Sequence, residues 1–297
     1  MEVVMKHTFW SNQVQTADLL YQTRNIRFRH AYKVKLLKGI GAKGGTDILE
    51  IGCGPGSLSF RIKEWLPDAR VTALDRDSNF VEYVKQKSLE RNLEITAVEG
   101  DALKLPFKDE TFDLTTSHTV IEHVPTKEFF DEQYRVLKNG GTLSVISSRP
   151  ELAIHRNDED ETTSEEKDIW ELIRKQKGGK LAGVCEYPLG ITEIPKWFEK
   201  TGFRNIEVDF EVITYIPDDH RSNEEHKIDI VEIERNCVLD CIRIDEKLLE
   251  GKIESEKFER LVSLVNTRYD NLLKRTLEGG STWQTAANLL MMVRGIK

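Results

Sequence analysis

The chain has 297 residues, 43 basic and 51 acidic side chains, a formal charge of −8 and 39% hydrophobic residues, an ordinary composition for a globular protein. Its length exceeds the one-core size of about 100 to 200 residues, so one large domain with insertions, or a core with a subdomain, is expected and a small stapled scaffold is excluded. The negative charge and the lack of a Lys/Arg block argue against nucleic acid as a partner, and no apolar run approaches the roughly 18 residues that span a bilayer.

Residues 8–40 read as helical but rich in aromatics (Phe9, Trp10, Tyr21, Phe28, Tyr32), and Gly39, Gly41, Gly44 and Gly45 then break the pattern. Over 47–149 short apolar runs at 47–51, 70–74, 94–98, 112–116 and 141–147 alternate with helix-like stretches at 58–65, 79–91 and 126–137. Such alternation builds βαβ units around a parallel sheet, with functional loops at the carboxyl ends of the strands. After Pro150 the pattern changes: 157–168 is strongly acidic and reads as a solvated, mobile loop, and a helical piece at 168–177 ends at Gly178-Gly179.

A helix from Thr192 to Lys200 stops at Gly202, followed by a strand at 205–215. Next, Ile230, Ile233, Cys237, Cys241, Ile244 and Leu248 step by threes and fours, as do Phe258, Leu261, Val265, Tyr269 and Leu272. This spacing predicts two amphipathic helices joined near Glu250-Gly251 and packed as a hairpin. An apolar segment at 288–296 can supply a last strand. The expected organisation is a helical arm (1–40), an α/β core (41–149 with 190–216 and 286–297) and two insertions (150–189 and 217–285).

The most informative segment runs from an apolar strand through Glu50-Ile-Gly-Cys-Gly-Pro-Gly into a helix. Gly52, Gly54 and Gly56 depart from the G-x-G-x-x-G spacing of a pyrophosphate cradle, and Pro55 stiffens the turn. Glu50 would repel a phosphate and can face a cationic ligand. Asp75 closes the second strand, placed to accept both hydroxyls of a ribose, and Asp101 follows the third, where a carboxylate can accept from an exocyclic amine such as that of adenine. Either aspartate alone reads more simply as a turn or cap residue. Their recurrence at successive strand ends favours a ligand.

In this order the motifs resemble those of the class I S-adenosylmethionine-dependent methyltransferases, of the small-molecule group similar to the ubiquinone and menaquinone C-methylases. The resemblance covers roughly 34–149 and 190–216. It rests on Glu50 to Gly56, Asp75, Gly100-Asp101-Ala102 followed by Leu105-Pro-Phe and Phe112-Asp, Ser117-His118-Thr119-Val-Ile-Glu-His-Val, and Arg135-Val-Leu-Lys-Asn-Gly-Gly-Thr-Leu. It implies a doubly wound, mostly parallel seven-stranded sheet of the Rossmann-like type with an antiparallel last strand, and S-adenosylmethionine as cofactor with S-adenosylhomocysteine as product. It further implies cofactor contacts at Glu50, Gly52, Cys53, Gly54, Gly56, Asp75, Arg76, Asp101, Ala102 and His118. The arm and both insertions are expected to form a helical cap over the carboxyl ends of the strands.

Methyl transfer from a sulfonium is an in-line displacement that needs no protein nucleophile, although a general base helps when the acceptor is a hydroxyl, an acidic carbon or a protonated amine. His123 is the candidate base, beside a plainer role in satisfying backbone groups, and Tyr21 is the candidate aromatic to close over the sulfonium. Trp10 reads as a core aromatic, and Arg29 as a solvated helix residue or a ligand for an acidic substrate. Cys237 and Cys241 lie one turn apart with His220 and His226 nearby, yet fall inside an apolar stripe, so no metal is expected.

The expected partner is a small-molecule acceptor, with no nucleic acid and no membrane span. The hairpin can cover its own active site or pair with a second subunit, which leaves a homodimer through the cap helices open. Four scattered cysteines and an N-terminus without a signal pattern point to the cytoplasm. The alternative to an enzyme is an S-adenosylmethionine-binding regulatory or scaffold protein whose cap is a partner interface. A nucleotide-dependent oxidoreductase is disfavoured by the loop spacing and by Glu50.

Overall fold

The structure, a computed structural model, describes residues 9–156, 162–177, 184–280 and 283–297. Its strands are β1 (Asp47–Ile51), β2 (Arg70–Asp75), β3 (Ile95–Glu99), β4 (Phe112–His118), β5 (Leu137–Arg156), β6 (Arg204–Tyr215) and β7 (Thr285–Ile296). They form one sheet in the order β3-β2-β1-β4-β5-β7-β6, in which β7 pairs antiparallel with both β5 and β6 and the other neighbours are parallel. The Rossmann-like sheet with an antiparallel end is thus present. Strand order reverses between β1 and β4, and a doubly wound sheet opens its ligand crevice at that point.

The helices are α1 (Phe9–Gln13), α2 (Ala17–Arg27), α3 (Lys33–Ile40), α4 (Ser57–Trp65), α5 (Ser78–Arg91), α6 (Thr126–Val136), α7 (Ser164–Lys177), α8 (Glu193–Thr201), α9 (Glu224–Leu248) and α10 (Ser255–Leu277). Side chains alternate across β1, so Leu49 and Ile51 pack with Phe129, Phe130 and Phe198 of α6 and α8 on one face. Ile48 packs with Leu36, Ile40, Leu58 and Ile62 of α3 and α4 on the other. Burying each such side chain contributes about 1.5 to 3 kcal/mol, enough to hold the sheet rigid beneath the loops.

Three boundaries differ from the sequence reading. β5 does not stop near Ser147 but continues to Arg156, because β7 extends alongside it and pairs Ile154 with Ala287 beyond a register shift after Arg149. The acidic stretch is not all loop: 157–161 lies outside the described residues, but α7 starts at Ser164, where Thr163 Oγ1 accepts the Glu166 N–H at 3.1 Å as a cap. Glu166 is then buried and paired with Arg268 of α10.

The third difference concerns the cap. α9 and α10 form the hairpin and share a core with α7 through Ile169, Val231, Ile242, Phe258 and Val265, but neither lines the cavity at the carboxyl ends of the strands. α9 instead backs the arm, with the Thr16 N–H donating to Asp240 and an Arg29 guanidinium N–H meeting His226 Nε2 at 2.5 Å.

Candidate active site

A cavity of about 290 Å³ opens at the carboxyl ends of β1, β2 and β4, the size class of small-molecule sites. Its floor is the turn after β1. Gly52, Gly54 and Gly56 all have left-handed φ, +63°, +53° and +82°, a region that costs glycine little and other residues much. A Cβ on Gly52 would stand 2.5 Å from Val120 Cγ2 and one on Gly56 2.8 Å from Val84 Cγ2. The loops on the two sides of the strand-order reversal therefore touch at Gly52; Gly52 and Gly54 present bare backbone to the cavity, whereas Gly56 packs against Val84 and Phe60 and does not line it.

Two carboxyls sit at the strand ends. Asp75 Oδ2 accepts the Gly54 N–H and Oδ1 the Asp77 N–H, each at 2.8 Å, which ties the β1 loop to the β2 loop. Burial pushes its pKa up to about 6 against those two bonds. Glu50 is buried and receives the Ser59 hydroxyl; desolvation raises it to about 8, with Asp75 adding to the rise. At neutral pH Glu50 is therefore largely protonated, and a cation placed beside it would draw the proton away. Cys53 is buried in the turn and donates its backbone N–H to Leu74 O. Asp101 is exposed and accepts the Leu103 N–H at 2.9 Å, and Arg76, Gly100, Asp101 and Ala102 line the same wall.

His118 ends β4 and is buried edge-on against Phe28, 4.9 Å between ring centres. Burial, Arg24 and Arg27 hold it well below the usual histidine range. The next residue, Thr119, has φ +53°, and a β-branched side chain in that region stores strain of the kind that gathers at functional turns. His123 lines the cavity; its Nδ1 accepts the Cys185 N–H at 2.9 Å, and its ring meets Trp10 edge-on at 4.6 Å. Burial, Arg76 and Arg24 lower it to about 4. The neutral ring therefore carries its hydrogen on Nε2 and offers the cavity a donor. That disagrees with the general base expected of His123.

The arm closes the cavity from above. Ser11 donates its N–H and its hydroxyl to Asp77, the residue that caps α5. Trp10, Leu20, Arg24 and Phe28 face the site, with Glu186 and Tyr187 beside them. Tyr21 does not line it: its ring packs on Phe60 and Tyr83 and its hydroxyl accepts from Arg91 at 2.8 Å. Tyr21 is thus corrected to a brace between α2, α4 and α5, because one step along a helix turns it about 100° from Leu20. Trp10, read as core, is the aromatic at the site.

The reading along the chain missed Leu20, Arg24 and Phe28. Their spacing of four, which puts them on one helical face, was the available signal. Of the other candidates, His226 bonds Arg29, His220 meets Trp283 edge-on at 6.1 Å, and Cys237 and Cys241 stay on α9. No helix among the described residues is long and apolar enough to cross a membrane.

Residues 48–141 match a family model described as a methyltransferase domain. The demethylmenaquinone methyltransferase of Staphylococcus aureus is 25% identical over 216 residues, 68% of this chain and 86% of that protein. Among solved structures, phosphoethanolamine N-methyltransferase 2 of Haemonchus contortus, in complex with S-adenosyl-L-methionine, is 18% identical with a TM-score of 0.54, over 100% of this chain and 60% of that one. The YcgJ protein of Bacillus subtilis is 16% identical with a TM-score of 0.50, over 91% and 99%. Residues 48–141 thus carry a methyltransferase domain, and with its glycine turn, its strand-end carboxyls and this sheet order the chain resembles the class I S-adenosylmethionine-dependent methyltransferases.

Proposed function

We propose that the protein methylates a small-molecule acceptor held in the cavity between the glycine turn and the arm. The observation that carries this reading is a small cavity at the strand ends in which a Cβ-free turn faces two buried carboxyls. The residues fit the cofactor. The left-handed glycines leave room for backbone to approach the methionyl part. The N–H groups at the start of α4, which no side chain caps, can receive its carboxylate. Glu50 suits its ammonium, Asp75 keeps a lone pair on each oxygen for ribose hydroxyls, and Asp101, Ala102 and Arg76 flank the base. When bound, S-adenosylmethionine supplies an electrophilic methyl group to an acceptor in line with the carbon–sulfur bond.

The rest is the work of this chain. Trp10 and the arm exclude water above the β4 end, and Trp10 offers an electron-rich face to a cationic centre. His123 Nε2–H orients an acceptor oxygen or nitrogen, and His118, neutral and wedged between Phe28 and Arg27, shapes the wall beside it. Positioning is the main catalytic contribution in such a site. The aromatic wall of Trp10, Phe28 and Tyr187 suits a planar, conjugated acceptor. A cytoplasmic location, supported by the few, scattered cysteines, belongs to the same proposal, as does association of two copies through α9 and α10.

Calorimetric titration with S-adenosylmethionine and S-adenosylhomocysteine tests it. Binding of both near micromolar, about −8 kcal/mol, is expected; no heat from either rejects the reading.

A further inference from the structure

Arg24 lines the cavity, and its guanidinium has neither a hydrogen bond nor an ion pair among the described residues. It stands between Leu20, which lies 3.3 Å from where a Cβ on Gly54 would be, and Phe28, which packs on His118. That places the guanidinium above the border between the cofactor turn and the β4 end, where an acceptor must approach. One turn further, Arg27 has a buried Nε without a partner, and its Nη1 meets only the neutral ring of His118, at 3.4 Å. Burial and Arg27 push Arg24 down to about 9, outweighing the weaker pull of Tyr215, Cys237 and Glu122.

Of the carboxyls nearby, Glu50 takes the Ser59 hydroxyl, Asp75 two backbone N–H groups and Asp101 the Leu103 N–H. Glu122 takes the Ser147 hydroxyl on one oxygen and keeps a buried Oε2 without a partner, and Glu186 also lines the cavity; none of these carboxyls forms an ion pair with Arg24 among the described residues. Arg24 at the wall of the cavity and Arg27 beside it are neighbouring guanidinium groups with no ion pair among the described residues, and leaving such charge uncompensated is costly. Arginine's forked donors match the paired oxygens of a carboxylate or phosphate.

Building on the methyltransferase reading, we propose that the acceptor carries an oxyanion, a carboxylate or a phosphate ester, and that Arg24 receives it with Arg27 in support. The cofactor's own carboxylate has the α4 N-terminus and does not require Arg24.

The test compares the wild type with Arg24→Gln at constant ionic strength. S-adenosylhomocysteine is first titrated by calorimetry; the saturated protein is then melted in sodium phosphate, sodium acetate or sodium chloride. The expected result is homocysteine-product affinity within about twofold in the two proteins, with phosphate or acetate raising the melting temperature over chloride in the wild type and not in Arg24→Gln. Stabilisation by phosphate alone assigns a phosphate ester, and by acetate alone a carboxylate. Arg24→Lys, which keeps the charge and loses the fork, should retain part of the effect and guards against a misfolded first variant. The proposal is overturned if Arg24→Gln lowers S-adenosylhomocysteine affinity about tenfold or more, since the guanidinium then serves the cofactor. It is equally overturned if neither anion stabilises the wild type, or if both proteins respond alike. A wild type that fails to bind S-adenosylhomocysteine defeats the methyltransferase reading instead.

Discussion

Asp75 joins two loops through two backbone bonds, so its role in holding the turn must be separated from a role toward ribose. Asp75→Asn preserves the shape but turns one acceptor into a donor. Its cost in cofactor affinity should be about 1 to 3 kcal/mol, a tenfold to hundredfold rise in Kd by calorimetry. An unchanged Kd would leave Asp75 as a loop brace only. Asp75 and Glu50 were legible along the chain because strand ends and glycine turns mark themselves locally. The state of His123 was not legible: the N–H that fixes its tautomer comes from Cys185, 62 residues away. Tyr21 and Trp10 exchanged the roles expected of them for a similar reason, since an aromatic on a short helix gives no local sign of which neighbour it meets.

At the scale of elements, the arm is held at two ends, by Ser11 on Asp77 and by Arg29 on His226. The second tie needs a neutral imidazole, and burial and Arg29 keep His226 below the usual histidine range, opposed by Asp219. Losing this bond should cost about 1 kcal/mol or somewhat more. In His226→Ala the amides of α2 should exchange with deuterium faster while those of β1 and β4 stay protected, and S-adenosylmethionine affinity should fall because the cavity roof loosens. Equal protection of α2 in both proteins would show that α9 does not steady the arm. The hairpin itself was readable from its three-and-four spacing. Its place behind the arm was not, because an amphipathic stripe states that a face is buried without stating against what.

For the whole molecule, opposing titrations set the pH profile. Glu50, raised to about 8, takes up a proton on folding, so its contribution is full at low pH and is lost as pH rises through that value. His118, His123 and His226, all lowered from 6.5, act in the opposite sense: their contribution is present above 6.5 and is lost as pH falls below it. Between pH 6.5 and 8 these histidines are neutral folded or unfolded, and Asp75, at about 6, is mostly ionised, so Glu50 dominates their group. Unfolding free energy from urea titrations should decline across that window by up to about 1.4 kcal/mol per pH unit. Glu50→Gln should flatten the decline; a slope identical to the wild type would remove Glu50 as its source.

The order of strands and helices, the glycine turn and the two aspartates were determined by the sequence alone, because each depends on side-chain period, backbone freedom or charge within a few residues. The tertiary structure decided which elements roof the cavity, which histidine nitrogen carries the proton and which cavity-lining arginine has no ion pair among the described residues. Those properties arise from burial and from partners distant in the chain: the arm meets α9 across some two hundred residues, as in the bond from Thr16 to Asp240, and no local pattern encodes that meeting.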